Sequence, residues 1–204
     1  MYKLPYFTEK NPEKVFEFMK KNSFAIITGV YSGFPVATHV PLEIKKIDEK
    51  IILTGHIMKA TDHYKAFLEN QNVLVIFSGP HCYVSASWYV KKNVASTWNY
   101  MDIHVKVKIQ FTDGEGTKKI IENITDQYEK SDSAAAFNKL PKDYVERLST
   151  AIAGFNIEVE SVDNTFKLSQ NHDPETRRQI IENLRKTGND NSLQIANEME
   201  KLLL

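Results

Sequence analysis

The clearest pattern along the chain is a strict alternation of apolar and polar residues near its middle. The apolar members are Ile103, Val105, Val107 and Ile109, and the polar residues between them are His104, Lys106, Lys108 and Gln110. Side chains two residues apart lie on the same face of a β-strand. The pattern therefore predicts a strand over 97–111 with one face buried and the other exposed.

Shorter apolar runs bounded by turn residues predict the remaining strands. Ser32-Gly33 and Asp48-Glu49-Lys50 are expected to close two tight hairpins. Ser78-Gly79-Pro80 is expected to form a turn that ends one strand before the next begins. The predicted strands are 24–31, 34–47, 51–57, 73–77 re-emerging as 81–85, 97–111 and 155–166, roughly six in all.

Capping residues and helical spacing predict five helices. Asn11-Pro12 suits a helix start, and Thr61 or Asp62 is expected to cap the second helix. The predicted helices cover 12–22, 62–70, 114–130, 174–187 and 192–204.

The order of these elements predicts the fold class. Strands that pair with their sequence neighbours, with few helices between them, argue against a parallel doubly wound sheet. The chain is therefore predicted to be an α+β protein whose six antiparallel strands form a closed or nearly closed barrel with peripheral helices. We expect the barrel domain to cover 1–170 and a helical C-terminal extension to cover 171–204, packed on the barrel or on a dimer partner.

Composition narrows the classes of protein that remain. The 204 residues carry a formal net charge of zero, so no overall field attracts nucleic acid or an anionic membrane. No apolar run approaches the ~20 residues of a membrane-spanning helix. Cys82 is the single cysteine, which suits a reducing compartment and a small buried apolar role. We expect a cytoplasmic protein.

The segment VLVIFSGPHCYVSASWY, followed by TWNY, is the richest in chemistry. Its aromatic rings alternate with small hydroxyl groups, and such a surface can stack on a flat ligand and hydrogen-bond its edge. A well-packed aromatic sheet with satisfied hydroxyls is the alternative.

Two neighbouring segments suggest how such a ligand could be held. In IILTGHIMKATD, a strand leads into a helix start beside Lys59, which could bind a phosphate group, and Gly55 could allow close approach to the backbone. An ordinary strand–helix connection is the alternative. In VATHVPL, Pro41 cannot donate to a central ladder, so an edge or a bulge there would leave backbone groups free for a ring. A hairpin strand whose Thr38 and His39 face solvent is the alternative.

Other types of site find less support. The six histidines show no metal-ligand spacing, and we expect no metal site, although a single histidine could still ligate haem. There is no dinucleotide-binding glycine motif, P-loop or nucleophile elbow, and we assign no catalytic residue. The basic residues of the tail after KLSQN are offset by acidic ones, as in a solvated helix.

Taken together, six segments in this order resemble the PaiB family of FMN-binding transcriptional regulators, whose fold is similar to the pyridoxamine 5′-phosphate oxidase split barrel. The segments are MYKLPYF, VATHVPL, LTGHIMKA, VLVIFSGPHCYVSASWY, STWNY and KLSQN. The resemblance implies FMN as cofactor, a homodimer with flavin at the subunit interface, and transcriptional regulation by repression. An FMN-dependent reductase or oxidase of the same fold is the alternative, and haem binding ranks below both.

The resemblance also implies which residues bind the cofactor. The strand over 38–42 would supply backbone contacts to the flavin ring, the turn after 51–57 would grip the phosphate, and the KLSQN tail would close the site. Related oxidases use an Arg-Lys pair where this chain has Met58-Lys59. DNA is implied as a partner, with weak support from the charge. The predicted cofactor-binding residues are Thr38, His39, Val40, Pro41, Thr54, Gly55, His56, Lys59, Ala60, Trp88, Trp98, Lys167, Ser169, Gln170 and Asn171.

Overall fold

The computed structural model describes residues 4–203. Met1, Tyr2 and Lys3 of the MYKLPYF segment, and the predicted end of the last helix at Leu204, lie outside these residues. The helices are α1 (Pro12–Lys21), α2 (Asp62–Glu69), α3 (Gly114–Tyr128), α4 (Lys142–Ala151), α5 (Pro174–Thr187) and α6 (Asp190–Lys201). The strands are β1 (Phe24–Tyr31), β2 (Phe34–Pro41), β3 (Glu43–Ile47), β4 (Lys50–Met58), β5 (Asn72–Val84), β6 (Thr97–Lys108), β7 (Gln110–Phe111), β8 (Ile152–Val159) and β9 (Asp163–Lys167).

The described strands form two sheets. One has the order β2-β1-β5-β6-β9, and the other has the order β3-β4-β8-β7. The pairs β1–β2, β1–β5, β3–β4, β4–β8 and β7–β8 are all antiparallel. The predicted α+β class with antiparallel sheets is confirmed. The count of about six strands needs correction, because the described residues form sheets of five and four strands.

The strand count differs because three predicted strands are each divided between the sheets. The predicted strand over 97–111 divides into β6 of the five-stranded sheet and β7 of the four-stranded one. The continuous apolar pattern over 34–47 breaks at Leu42, so that β2 lies in the five-stranded sheet and β3 in the four-stranded one. The predicted strand over 155–166 divides in the same way into β8 and β9. A change of sheet leaves the alternation of side chains nearly intact, which is why the sequence pattern did not reveal it.

The Ser78-Gly79-Pro80 segment is not a turn. It lies inside β5, which runs without interruption through Asn72–Val84. A Cβ atom on Gly79 would lie 2.5 and 2.6 Å from ring carbons of Phe18 and 3.0 Å from the backbone oxygen of Met101. Glycine is therefore present because a ring packs directly on the strand, rather than because the chain reverses there.

The two predicted hairpin turns are confirmed. Tyr31 pairs with Phe34 across a two-residue turn in which Ser32 and Gly33 have φ of 50° and 80°. Asp48 and Glu49 likewise have φ of 47° and 65° between β3 and β4. Positive φ at both central residues gives the backbone twist that matches antiparallel strands.

Helix ends follow local capping chemistry. The side chain of Thr61 accepts a hydrogen bond from the backbone of α2, and Asp113 and Asp173 do the same at the starts of α3 and α5. The last helix begins at Asp190, capped by Asn189, two residues before its predicted start. Helix α4 was not predicted, and its start after Pro141 has no side-chain cap that could have revealed it. None of the helices within 4–203 is both long and apolar enough to cross a membrane.

The chain divides into two compact units. The first unit comprises the residues up to Phe18, Ser78–Ile103 and the chain from Asp163 onward, and α5 packs on α6 in its core. The second unit comprises Met19–Phe77 and His104–Val162, and its core includes the fully buried rings of Phe67 and Phe155. The expected boundary between 1–170 and 171–204 stays a prediction.

Candidate functional site

Strand β2 lies at an edge, as the proline in VATHVPL predicted. It is the terminal strand of the five-stranded sheet and pairs only with β1 among the described strands. The backbone N–H of Leu42 donates to the oxygen of Ser23 at 2.9 Å, which extends the register of this pair by one residue. Hydrogen-bonded positions alternate along an antiparallel strand. The even-numbered residues of β2 therefore point their backbone groups toward β1, and the odd-numbered residues point theirs outward.

The outward positions of β2 have a distinctive composition. They are Pro35, Ala37, His39 and Pro41. Proline at these positions costs no ladder bond, because an N–H there would not face β1. Ala37 and His39 thus present the N–H and C=O groups that can pair with the edge of a flat ring. Both residues are exposed, and the ring of His39 stacks on Phe24 with centroids 5.6 Å apart.

Two predicted cofactor-binding residues lie on one face of strand β4. Thr54 and His56 are half-buried, and they alternate with the buried residues Leu53, Gly55 and Ile57. The hydroxyl of Thr54 donates to Oδ1 of Asn156 on the neighbouring β8 at 3.0 Å. This face of the sheet therefore carries polar groups, whereas the other face belongs to the core.

His56 has an unused polar atom in this face. Its Nδ1 is buried and has no hydrogen-bond partner within 4–203. Burial lowers the pKa of His56, so the imidazole is neutral at physiological pH. A buried ring nitrogen without a partner is costly, and a ligand group that bonded to it would remove that cost.

Gly55 faces the protein interior rather than an open approach. A Cβ atom there would lie 2.8 Å from Cζ of Phe155, 2.9 Å from Cδ2 of Leu42 and 3.2 Å from Cγ1 of Val40. The space that a side chain at position 55 would occupy is therefore filled by core side chains of the protein itself. Only the backbone of Gly55 is left for a ligand contact.

The turn after β4 carries one cation with a defined partner. Lys59 is exposed, and its ammonium donates to the backbone oxygen of Thr150 at 3.0 Å, while its N–H donates to the oxygen of Ala151 at 2.9 Å. A lysine beside the last carbonyls of α4 also interacts favourably with the helix dipole. Ala60 follows it and is exposed.

The start of α2 offers fewer free donors than the sequence suggested. The N–H of His63 donates to Oδ1 of Asp62 at 2.7 Å, and the N–H of Tyr64 donates to the hydroxyl of Thr61 at 3.3 Å. The carboxylate of Asp62 adds negative charge at the same helix end. Lys59, rather than the helix start, is therefore the feature of this turn that best suits a phosphate group.

In the first unit, three of the four predicted tail residues already use their polar atoms. Lys167 donates to the hydroxyl of Thr97 and to the oxygen of Trp98, and burial lowers its pKa. Gln170 donates to the oxygen of Phe166 at 2.5 Å, and its side-chain oxygen accepts from the N–H of Leu168 at 2.7 Å.

Ser169 is the third of these, and its partner was not predicted. It has a φ of 60°, and its hydroxyl and the side-chain amide of Asn99 exchange hydrogen bonds at 2.9 and 3.1 Å, with both side chains buried. Asn99 lies inside the STWNY segment, but nothing in the local pattern linked it to a residue seventy positions later. Asn171 is the tail residue that is exposed.

The aromatic surface expected from the sequence is present in the first unit. Tyr83 and Trp98 are 51% and 54% exposed, and their rings meet edge to face with centroids 6.0 Å apart. His81 lies 6.2 Å from the ring of Trp98. Trp88 is half-buried in a short 3₁₀ helix, Ala86–Trp88. Between these residues, Cys82 is buried, which raises the pKa of its thiol to about 12 and makes it the inert filler that was predicted.

Comparison with known proteins identifies the family. Residues 1–161 match the family described as "Putative FMN-binding domain". The "Protease synthase and sporulation protein PAI 2" of Bacillus subtilis strain 168 is 35% identical over 204 residues, which cover 100% of this chain and 98% of that protein. The chain belongs to the PaiB family of FMN-binding domains. The predicted resemblance is therefore confirmed, and FMN is the cofactor of this family.

Solved structures agree at the level of the fold. The FAD and haem binding protein from Mycobacterium smegmatis has a TM-score of 0.58 at 11% identity, and the match covers 83% of this chain and 78% of that one. The flavocytochrome Anf3 from Azotobacter vinelandii has a TM-score of 0.57 at 12% identity, covering 81% and 72%. At such identities the similarity concerns the fold alone.

The residues of the second unit fit the needs of a PaiB-family flavin site. A planar ring edge needs alternating donors and acceptors, which the outward groups of Ala37 and His39 supply. A phosphate needs a cation, which Lys59 supplies. The buried Nδ1 of His56, which has no hydrogen-bond partner within 4–203, adds a polar atom that a ligand could bond.

The buried imidazole of His56 should make stability depend on pH. Its pKa in the folded state lies below the unfolded value of about 6.5. The unfolded chain therefore binds more protons as the pH falls below about 6.5, and stability is lost in that range. We expect the drop in melting temperature between pH of about 7.5 and about 5 to be smaller in His56→Gln than in the wild type.

Two further variants test that assignment. Burial also lowers the pKa of His172, so His172→Gln should likewise reduce the drop in melting temperature at acidic pH. The exposed His81→Gln serves as the control and should keep the wild-type pH dependence. An unchanged pH dependence in His56→Gln would show that its burial does not govern acid stability.

Proposed function

We propose that this protein is a cytoplasmic, homodimeric, FMN-binding transcriptional regulator of the PaiB type, built on a split barrel. The observation that carries the proposal is the match of residues 1–161 to the FMN-binding domain, together with a full-length relative at 35% identity. The name of that relative refers to protease synthase and sporulation. Control of gene expression by repression is the activity that the family resemblance implies.

In this proposal β2 and the turn after β4 hold the cofactor. The outward N–H and C=O groups of Ala37 and His39 would pair with the polar edge of the ring. His39 belongs to the predicted segment 38–42, whereas Ala37 precedes it, and the backbone groups of Thr38 and Val40 point toward β1 instead. Lys59 would bind the phosphate, with Thr54, His56 and the backbone of Gly55 and Ala60 beside it. Bound FMN supplies reversible one- and two-electron redox chemistry, while the protein supplies binding and orientation.

We propose a divided role for the predicted residues of the first unit. Trp88, Trp98 and Asn171 have surface available to cover a ligand. Lys167, Ser169 and Gln170 instead hold the tail segment in place, because their polar atoms are already bonded within the chain.

The cofactor site is tested by titrating apo-protein with FMN and following the quenching of flavin fluorescence. We expect Lys59→Ala to weaken FMN binding by about tenfold, or ~1.4 kcal/mol, because the variant loses one charge-assisted hydrogen bond at an exposed position. The substitution also frees the oxygen of Thr150, so the melting temperature of the variant is measured in parallel.

Lys50→Ala is the matched control for this prediction. Lys50 lies at the opposite end of β4 and pairs with Glu158 at 2.8 Å. The Lys50→Ala variant should leave the affinity for FMN unchanged. Equal affinity in the wild type and Lys59→Ala would place the phosphate elsewhere.

Direct DNA binding needs a separate test, because the two basic residues in the last turn of α5 are each paired with a glutamate. Arg185 pairs with Glu200 at 2.7 Å, and Lys186 pairs with Glu182 at 2.8 Å. A regulator that binds DNA directly should shift its upstream DNA in a gel, with affinity that falls as salt rises. Two results together would favour a flavin reductase over a regulator. They are the absence of a gel shift, and NADPH oxidation that is faster with FMN-loaded protein than with free FMN.

A further inference from the structure

A junction in the first unit contains buried hydrogen-bond donors that have no acceptor. It is formed by the segment Ser85–Val90 and the first turn of α5. The backbone N–H of Val90 donates to the hydroxyl of Thr176 at 3.4 Å, and the ring of Tyr89 lies 4.6 Å from that of His172. Within the described residues, no hydrogen-bond partner reaches the hydroxyl of Tyr89 or two nitrogens of Arg177, and all three atoms are buried.

The two nitrogens of Arg177 are Nε and Nη2, which lie on the same edge of the planar guanidinium. Their N–H bonds are parallel, and this is the edge that binds the two oxygens of a carboxylate or phosphate. Burial lowers the pKa of Arg177, but a guanidinium stays charged at physiological pH. A buried positive fork without an acceptor is costly in free energy.

Nearby groups agree with an anionic acceptor. Tyr89 is 2% exposed, and burial raises the pKa of its phenol, so its O–H stays a donor. Burial is the main cause that lowers the pKa of His172, while the charge of Asp173 raises it and the charge of Lys167, a smaller effect, lowers it. Two acidic groups lie at this helix start. Asp173 accepts the N–H of Thr176 at 2.9 Å, and within the described residues neither Asp173 nor Glu175 bonds to the Arg177 fork.

We propose that this junction binds a small molecule bearing a carboxylate or phosphate group, with Arg177 as the bidentate anchor and Tyr89 as a further donor. Such a ligand would be an effector of the regulator, bound at residues outside the predicted flavin set. The proposal does not depend on where FMN binds, because anion binding is measured on flavin-free protein.

The test is thermal denaturation and calorimetry of the full-length protein with succinate and with inorganic phosphate, at constant ionic strength. For the wild type we expect at least one of these anions to raise the melting temperature and to saturate. Arg177→Gln should weaken the binding by at least about tenfold. Arg177→Lys should lose nearly as much, since an ammonium cannot reproduce the fork.

Two further variants keep the test interpretable. Arg178→Gln, at the exposed neighbouring position, is the control and should bind like the wild type. Tyr89→Phe removes one hydroxyl without changing the packing, so it carries the test if the Arg177 variants do not fold. It should weaken binding by about three- to tenfold.

Three results would overturn the proposal. The first is the absence of saturable binding of either anion to the wild type. The second is competition between the anion and FMN, together with a loss of FMN affinity in Arg177→Gln as large as that in Lys59→Ala. The acceptor of the Arg177 fork would then be the flavin phosphate. The third is a change in the dimerisation constant of Arg177→Gln without anion binding, because the acceptor would then be a carboxylate of a second copy.

Discussion

Phe155→Ala is expected to lower the free energy of unfolding by about 3–5 kcal/mol, the usual cost of truncating a fully buried phenylalanine. Phe155 is 0% exposed on β8, directly opposite Gly55 of β4. Its ring fills the space that a side chain at position 55 would take. Truncation would leave a cavity between strands whose backbone pairing prevents collapse. Urea denaturation followed by circular dichroism measures the loss.

Two variants control for the Phe155 effect. Phe24→Ala removes the same side chain from β1, where it is 66% exposed, and should cost much less. Phe155→Leu keeps most of the volume and should fall between the two. A loss below about 1 kcal/mol in Phe155→Ala, well under the usual range, would mean that the site relaxes around the truncation.

Gly79→Ala is expected to destabilise the protein by about 2–3 kcal/mol through overpacking. The added methyl group would lie 2.5 and 2.6 Å from ring carbons of Phe18, and 3.0 Å from a backbone oxygen that cannot rotate away. Phe18 is itself 8% exposed and lies 4.9 Å from the ring of Phe166, which restricts its escape. Thermal and urea unfolding of the purified variant measure the effect.

Gly114→Ala is the matched control for Gly79→Ala. Within residues 4–203, no atom apart from the chain neighbours and the helix's own backbone lies within 4 Å of a Cβ atom at position 114. The residue begins α3, where alanine is the better helix former. This variant should be as stable as the wild type or slightly more stable. If Gly79→Ala behaves like Gly114→Ala, the ring of Phe18 does not constrain β5.

The sequence predicted those features that short segments determine. The turns at Ser32-Gly33 and Asp48-Glu49 and the capping role of Thr61 depend on a few adjacent residues, and the structure confirms them. Pro41 predicted an edge or a bulge, because proline cannot donate to a central ladder, and the structure shows the edge.

Features that depend on distant residues could not be predicted in this way. Gly79 looked like a turn residue because Phe18, which packs on it, lies sixty-one residues earlier. The partner of the Lys59 ammonium is a carbonyl ninety-one residues later in α4. For the candidate site, the residue types could be read from the sequence. The hydrogen bonds that Ser169 and Gln170 make within the chain could not.

The prolines of β2 also bear on self-association. An exposed sheet edge usually invites another extended chain to add to it, which can lead to aggregation. Pro35 and Pro41 stand at both ends of the outward-facing row, so an incoming strand would find only two donors between them. Protein–protein strand addition is therefore discouraged, while a compact heterocycle that needs only one or two contacts can still be accommodated.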